Sequence, residues 1–241
     1  MEVDPEPEPE GVRAGGWEPE PEGAREPQPL VWTKWGASFS IGGLPGDELD
    51  PSVVKVDEYK GTRSALALPG APMTHGVHYA DFHILCANTF KRSPTVPRVG
   101  VAQADHDAAG MWAASDLPLG WGWTYSGVVW HDGLDWGEPL GEAYTWGAGD
   151  VLRLRLDMDA GVLAGGKNGG PLTVLASGLK GHEFGRDARE QELRCELCWS
   201  VDMEAPGCAI RIERGEKRSD DSVPDQLNEG NHMPPDWEED K

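Results

Sequence analysis

Leu152, Leu154 and Leu156 are interleaved with Arg153, Arg155 and Asp157. A two-residue period puts the leucines on one face and the charges on the other, as in a strand that covers a core on one side. Asp159-Ala160-Gly161 then supplies a turn, Val162-Leu163 open a second apolar strand, and Asn168-Gly169 turn the chain again, because these residues tolerate positive φ. The segment predicts a β-hairpin leading into a further turn.

The same pattern runs through most of the chain. From residue 30 to 212, short apolar runs are broken by Gly, Pro, Asn and Asp, and no long stretch has a helical period. Strands are expected at 77–85, 98–102, 120–125, 128–131, 172–175, 193–201 and 209–212, with Ser126-Gly127 closing a hairpin. Trp32, Trp35, Phe39 and Ile41 are expected on one leading strand. Many short strands at this spacing predict an all-β fold, a sandwich of antiparallel sheets.

Composition divides the chain into three parts. Residues 1–29 carry nine acidic and two basic side chains, and residues 214–241 carry nine acidic and four basic, so these ends hold −12 of the formal −21. With little apolar area to offset the entropy of ordering, both are expected to be disordered acidic tails. The first contains a Pro/Glu repeat, residues 6–13 returning as 18–25, which favours an extended spacer. Residues 30–213 keep nearly all the aliphatic side chains and nine of the eleven Trp, enough for one domain. Their net charge of −9 repels nucleic acid and anionic membrane surfaces, and neither is expected as a partner. No apolar run reaches the length of a membrane span, and the N-terminus lacks the basic start and apolar stretch of a signal peptide. A soluble cytoplasmic protein is expected. Cys86, Cys195, Cys198 and Cys208 fit reduced, mostly buried thiols, although counting alone leaves two disulfides in a secreted protein open.

Several motifs that suggest chemistry have simpler explanations. In strand phase, Cys195 shares a face with Leu197 and Trp199 and Cys198 with Glu196 and Ser200, so the Cys-x-x-Cys thiols diverge and no metal is expected. Gly161-x-x-x-x-Gly166-Lys167 lacks the following Ser or Thr and runs into Gly169-Gly170-Pro171, which forbids the helix of a phosphate loop. Asp157-x-Asp159-x-Gly161 has Val162 and Asn168 where a calcium loop needs Gly and Glu. His78, in phase with Ala80, Phe82 and Ile84, is expected to be a buried, hydrogen-bonded imidazole. No Gly-x-Ser-x-Gly frame and no trio of acids on one strand is present, so neither catalysis nor a cofactor is expected.

Five blocks, in order over about 140 residues, resemble the SPRY domain family. They are His75-Gly76-Val77-His78-Tyr79, Val99-Gly100-Val101-Ala102, the Trp-rich hairpin from Gly120-Trp121 to His131-Asp132-Gly133, the strand from Gly149-Asp150 to Leu156-Asp157, and the apolar strand ending in Asn168-Gly169. Ala80 and Asp81 depart from the Trp and Glu common in the family. The resemblance covers residues 75–212 best. It implies a bent, concanavalin-like sandwich whose loops recognise a peptide or protein, and hence a non-enzymatic adaptor.

The Trp set fits that role. Trp121, Trp123 and Trp146 are expected to fill the interior, while Trp112, Trp130 and Trp136, with His106, Tyr125 and His131, fall in or beside turn-rich segments where binding loops would lie. These six are the expected contacts of a protein or peptide partner bound by a monomer. The alternative is a lectin-like sandwich in which Trp faces stack on sugars, because sandwiches host many functions.

Overall fold

The computed structural model describes residues 29–42, 50–58, 63–86, 97–108, 113–136, 138–179 and 196–219, with only the backbone of Trp136. Residues 1–28 and 220–241 of the expected tails, Trp112, Cys195 and the start of the expected 193–201 strand lie outside the described residues, whereas residues 214–219, expected in the C-terminal tail, are described and pack on sheet B.

Among the described residues, fourteen strands form two seven-stranded antiparallel sheets. Sheet A runs β1 (Val31–Trp35), β4 (Arg63–Leu68), β13 (Leu197–Met203), β6 (Arg98–Gln103), β7 (Trp121–Thr124), β8 (Val129–His131) and β9 (Leu134–Trp136). Sheet B runs β12 (Thr173–Ser177), β11 (Val162–Lys167), β10 (Val151–Asp157), β5 (Val77–Cys86), β14 (Ala209–Arg214), β3 (Val53–Val56) and β2 (Phe39–Ile41). Among the described residues no helix is long and apolar enough to cross a membrane.

The expected hairpin is β10–β11, in register from Leu152↔Lys167 to Asp157↔Val162, and Leu152, Leu154 and Leu156 are fully buried. Gly161, Asn168 and Gly169 all take positive φ at its turns. The opposite face is not simply solvated. Arg153 is buried, donating from Nε and Nη2 to the two carboxylate oxygens of Asp81 at 2.9 Å and from Nη1 to the Glu216 carbonyl at 3.1 Å. Asp81 thus pairs across the β5–β10 ladder with Arg153, and the chain beyond β14 covers the pair, its Gly215 N–H bonded to the Tyr79 carbonyl.

Two other expectations are corrected. The single leading strand is two: β1 pairs with β4 in sheet A, while β2 pairs with β3 in sheet B. The chain changes layers at Gly36, whose Cα lies so close to the Ala108 carbonyl that a Cβ would be 2.9 Å from it. Trp32 ties the layers together by donating from Nε1 to the Ser52 carbonyl at 2.6 Å. His78 is half-buried rather than enclosed, because it lies near the open start of β5, where its Nε2 meets the His75 carbonyl at 2.8 Å.

Between the sheets the core is dense with indole. Trp121, Trp123 and Trp199 are fully buried and Trp146 nearly so. Trp199 meets Phe82 edge-on at 6.1 Å, and Trp123 crosses to sheet B at Gly165, where a Cβ would be 3.1 Å from its ring. Cys86 and Cys198 are free thiols, and burial pushes Cys198 up to about 12, so it stays protonated.

Candidate functional site

Every second residue of sheet A points away from this core, and there the sequence turns small or polar. Leu66, Ala102 and Cys198 form a second apolar cluster with Ala104, Ala108 and Ala114, and Ser64, Ser200, Asp202 and Arg98 are buried beside it. The cover is a strap following β6. Its described parts are residues 104–108, which begin where the Ala104 N–H bonds the Glu196 carbonyl and pass Gly36, and a short 3-10 turn at Ala114–Asp116. Glycine permits the close approach: a Cβ on Gly120 would lie 1.9 Å from the Ala114 carbonyl oxygen, and one on Gly122 would lie 3.2 Å from the Ser115 Cβ.

A buried carboxylate pins the strap. Asp202, on β13, accepts from the Ser64 hydroxyl and the Ala114 N–H on one oxygen, and from the Ser115 hydroxyl and N–H on the other. Arg98 supplies the compensating charge, its Nη1 3.9 Å from Asp202 and donating to Ser115 Oγ at 2.7 Å and Asp116 Oδ1 at 2.8 Å. A buried carboxylate is tolerable when each lone pair is met and a cation is near.

Trp130 stands at the outer end of this network. Its Nε1 donates to Asp116 Oδ1 at 2.7 Å, and the Arg98 guanidinium lies 4.3 Å from its ring centroid, a cation–π contact. The ring is held from two directions yet is only half-buried. Beside it, β9 forms the edge of the sheet, with Leu134 50% exposed. Asp132 and Gly133, both at positive φ, make the two-residue turn joining β8 to β9.

Of the six residues expected to meet a partner, the four whose side chains are described do not converge. Trp130 is on the outer face of sheet A. Tyr125 is half-buried against the main core, its backbone fixed by bonds to the Pro97 carbonyl and from the Trp146 N–H. His131 faces inward, 4% exposed, stacked on Trp121 at 4.5 Å with its Nδ1 2.8 Å from the Gly120 carbonyl. Trp136 pairs with Val129 on the edge strand, and Trp112 lies outside the described residues. His106 is at the far side of the sheet, beside β1, five strands from β8 and therefore about 24 Å away at ~4.8 Å per strand.

There the strap and β1 border an open depression of about 510 Å³ lined by Thr33, Lys34, Trp35, Asp105, His106 and Asp107. Burial, opposed by the charges of Asp202, Asp107 and Asp105, holds the His106 imidazole below its ordinary value, and its buried Nε2 meets no hydrogen-bond partner among the described residues. Arg98, Ser115, Asp116 and Asp202, which position Trp130, are not singled out by the sequence. The available signal was strand phase, which sets Asp202 with Cys198 and Ser200, opposite Trp199, on a face that an uncovered sheet would leave wet.

No family model and no curated protein matches the chain. Among solved structures it is similar to the SPRY domain of human HERC1, at 21% identity and a TM-score of 0.49, over 69% of this chain and 90% of that one. It is also similar to the TRIM65 PSpry domain, at 13% identity and 0.48 over 77% and 89%. A human SPRY domain matches at 14% identity and 0.47 over 75% and 99%.

Proposed function

We propose that the chain is a non-enzymatic SPRY-type interaction module that grips a peptide or protein surface at the β8–β9 corner of sheet A. The observation that carries this reading is the clamped Trp130. Binding anchors are large aromatics with little conformational freedom left to lose, and a ring fixed by a guanidinium and a carboxylate before any partner arrives meets that condition. Asp135, paired with Trp130 across the β8–β9 ladder, shares its face and is exposed. The five blocks that resemble the SPRY family, which fall on β5, β6, β7–β8 and the β10–β11 hairpin, support the type of module. On this reading His131 and Tyr125 shape the corner from within, and Trp136 lies on the strand that borders it.

The test exposes the full chain to a displayed peptide library and a glycan array side by side. A peptide motif is expected to enrich and to be competed away by free peptide. Trp130→Ala should weaken it about 30-fold, as loss of an anchor worth about 2 kcal/mol requires, while Trp130→Phe should fall between. A folded Trp130→Ala protein with unchanged affinity sinks the site, and saturable glycan binding without a peptide signal replaces the module with a lectin.

A further inference from the structure

What borders the Trp130 ring selects the chemistry of its partner. Across the outer face of sheet A, the paired residues at its level are Ser200, Gly100, Gly122, Trp130 and Asp135. On the β7 side the two glycines leave the sheet bare, and Arg98 and the 3-10 turn close over it: a Cβ on Gly122 would lie 3.0 Å from the Arg98 Cβ and 3.2 Å from the Ser115 Cβ. On the other side stands β9, the last strand of the sheet, with Asp135 level with Trp130. Directly paired residues have Cβ atoms about 4.5–5.5 Å apart, so the indole and this carboxylate are neighbours on one surface.

The charges favour one kind of occupant. Arg98 is 4% exposed and is committed to Asp116, Ser115 and Asp202. Asp132 and Asp135 are exposed, and Asp135 makes no hydrogen bond or ion pair among the described residues. Against the one guanidinium of Arg98 the corner thus sets the carboxylates of Asp116, Asp202, Asp132 and Asp135. An anion would meet like charge, and an apolar side chain would desolvate Asp135 without giving it a partner. A guanidinium suits both neighbours at once, stacking on the indole and donating to the carboxylate. The Nε1 bond to Asp116 helps, because a carboxylate that accepts from the indole N–H polarises the ring toward a more negative face.

We infer that the partner presents an arginine side chain, from a basic segment of a protein, stacked on Trp130 and bonded to Asp135. The inference rests on the Trp130 corner being the binding site and adds the chemistry of what binds there.

The experiment selects a displayed library of random peptides on the full chain, then measures the enriched peptide, synthesised with a fluorophore, by anisotropy. An arginine is expected in the motif. Asp135→Asn and replacement of that arginine by citrulline, which keeps the shape without the charge, should each weaken binding about tenfold, and the two together no more than either alone, because both remove one contact. Asp105→Asn removes the same charge beside β1, well beyond the ~8 Å screening length at about 0.15 M salt, and should change affinity less than about twofold. Asp135 is exposed and the amide has the carboxylate's volume, so Asp135→Asn keeps the fold. A motif without arginine that a folded Trp130→Ala protein no longer binds leaves the corner standing and overturns the arginine. An arginine motif indifferent to Asp135→Asn, or one whose two losses add, places the charge contact on acidic surface elsewhere and overturns it as well. A motif untouched by both Trp130→Ala and Asp135→Asn, or no enrichment at all, overturns the corner and the arginine together.

Discussion

Asp202 shows how one side chain decides whether a surface can be covered. Its carboxylate is 1% exposed, and four donors from β4 and the strap converge on it while Arg98 supplies the opposite charge. Removing it leaves the Ser115 N–H and a buried guanidinium short of a partner, a penalty larger than the net worth of the bonds themselves. Asp202→Ala is therefore expected to cost about 3 kcal/mol, read as a lower midpoint in urea unfolding with an unchanged slope. A change under about 0.5 kcal/mol, the usual size of a surface substitution, would remove the carboxylate from its central place. The same loss should free Asp116, so Trp130 becomes more exposed to a fluorescence quencher even where the protein stays folded.

Among elements, hairpins were the most legible in sequence, because alternation and turn residues act locally: β10–β11 and β7–β8 follow from Leu152-Arg153-Leu154 and from Ser126-Gly127. The strap was hidden because its partners are remote, Ala114 bonding to Ser64 and Asp202, residues 50 and 88 positions away. Its contacts also use small side chains and backbone, which give no hydrophobic period. Trp130 was singled out as an aromatic near a turn, but its clamp was not, since Arg98 and Asp116 reach it from other elements. The strap depends on Gly120, where a Cβ would fall 1.9 Å from the Ala114 carbonyl oxygen and 2.8 Å from the Ser115 Cα. These are backbone atoms that cannot rotate aside. Gly120→Ala is expected to cost at least about 3 kcal/mol, more than Gly165→Ala, whose Cβ meets Leu175 and Trp123 side chains at 2.8 and 3.1 Å. Thermal unfolding of the two variants checks the order; equal melting temperatures would mean that the strap yields easily.

At the scale of the molecule, the five blocks beginning at His75 contain most of the recognisable pattern yet not a closed structure. The first four strands complete both sheets: β4 flanks β13 and carries β1 outward, and β3 flanks β14 and carries β2. They also bring Trp32, Phe39, Val54, Val56, Ala65 and Ala67 into the main core and Leu66 into the outer one. The sequence concealed this because β3 is four residues long and β4 is buried on both faces, so neither alternates between apolar and polar. A chain reduced to residues 70–241 would expose two strand edges in the middle of the sheets and lose several large apolar side chains, each worth about 1.5–3 kcal/mol when buried. Against a total stability of about 5–15 kcal/mol, that loss exceeds what a domain can spare. The shortened chain is expected to aggregate or to lack a cooperative melting transition, whereas residues 29–219 should melt in one step. Size-exclusion chromatography with calorimetry on both decides the matter: a monomeric 70–241 chain with a single sharp transition would make β1–β4 an appendage and not part of the folding unit.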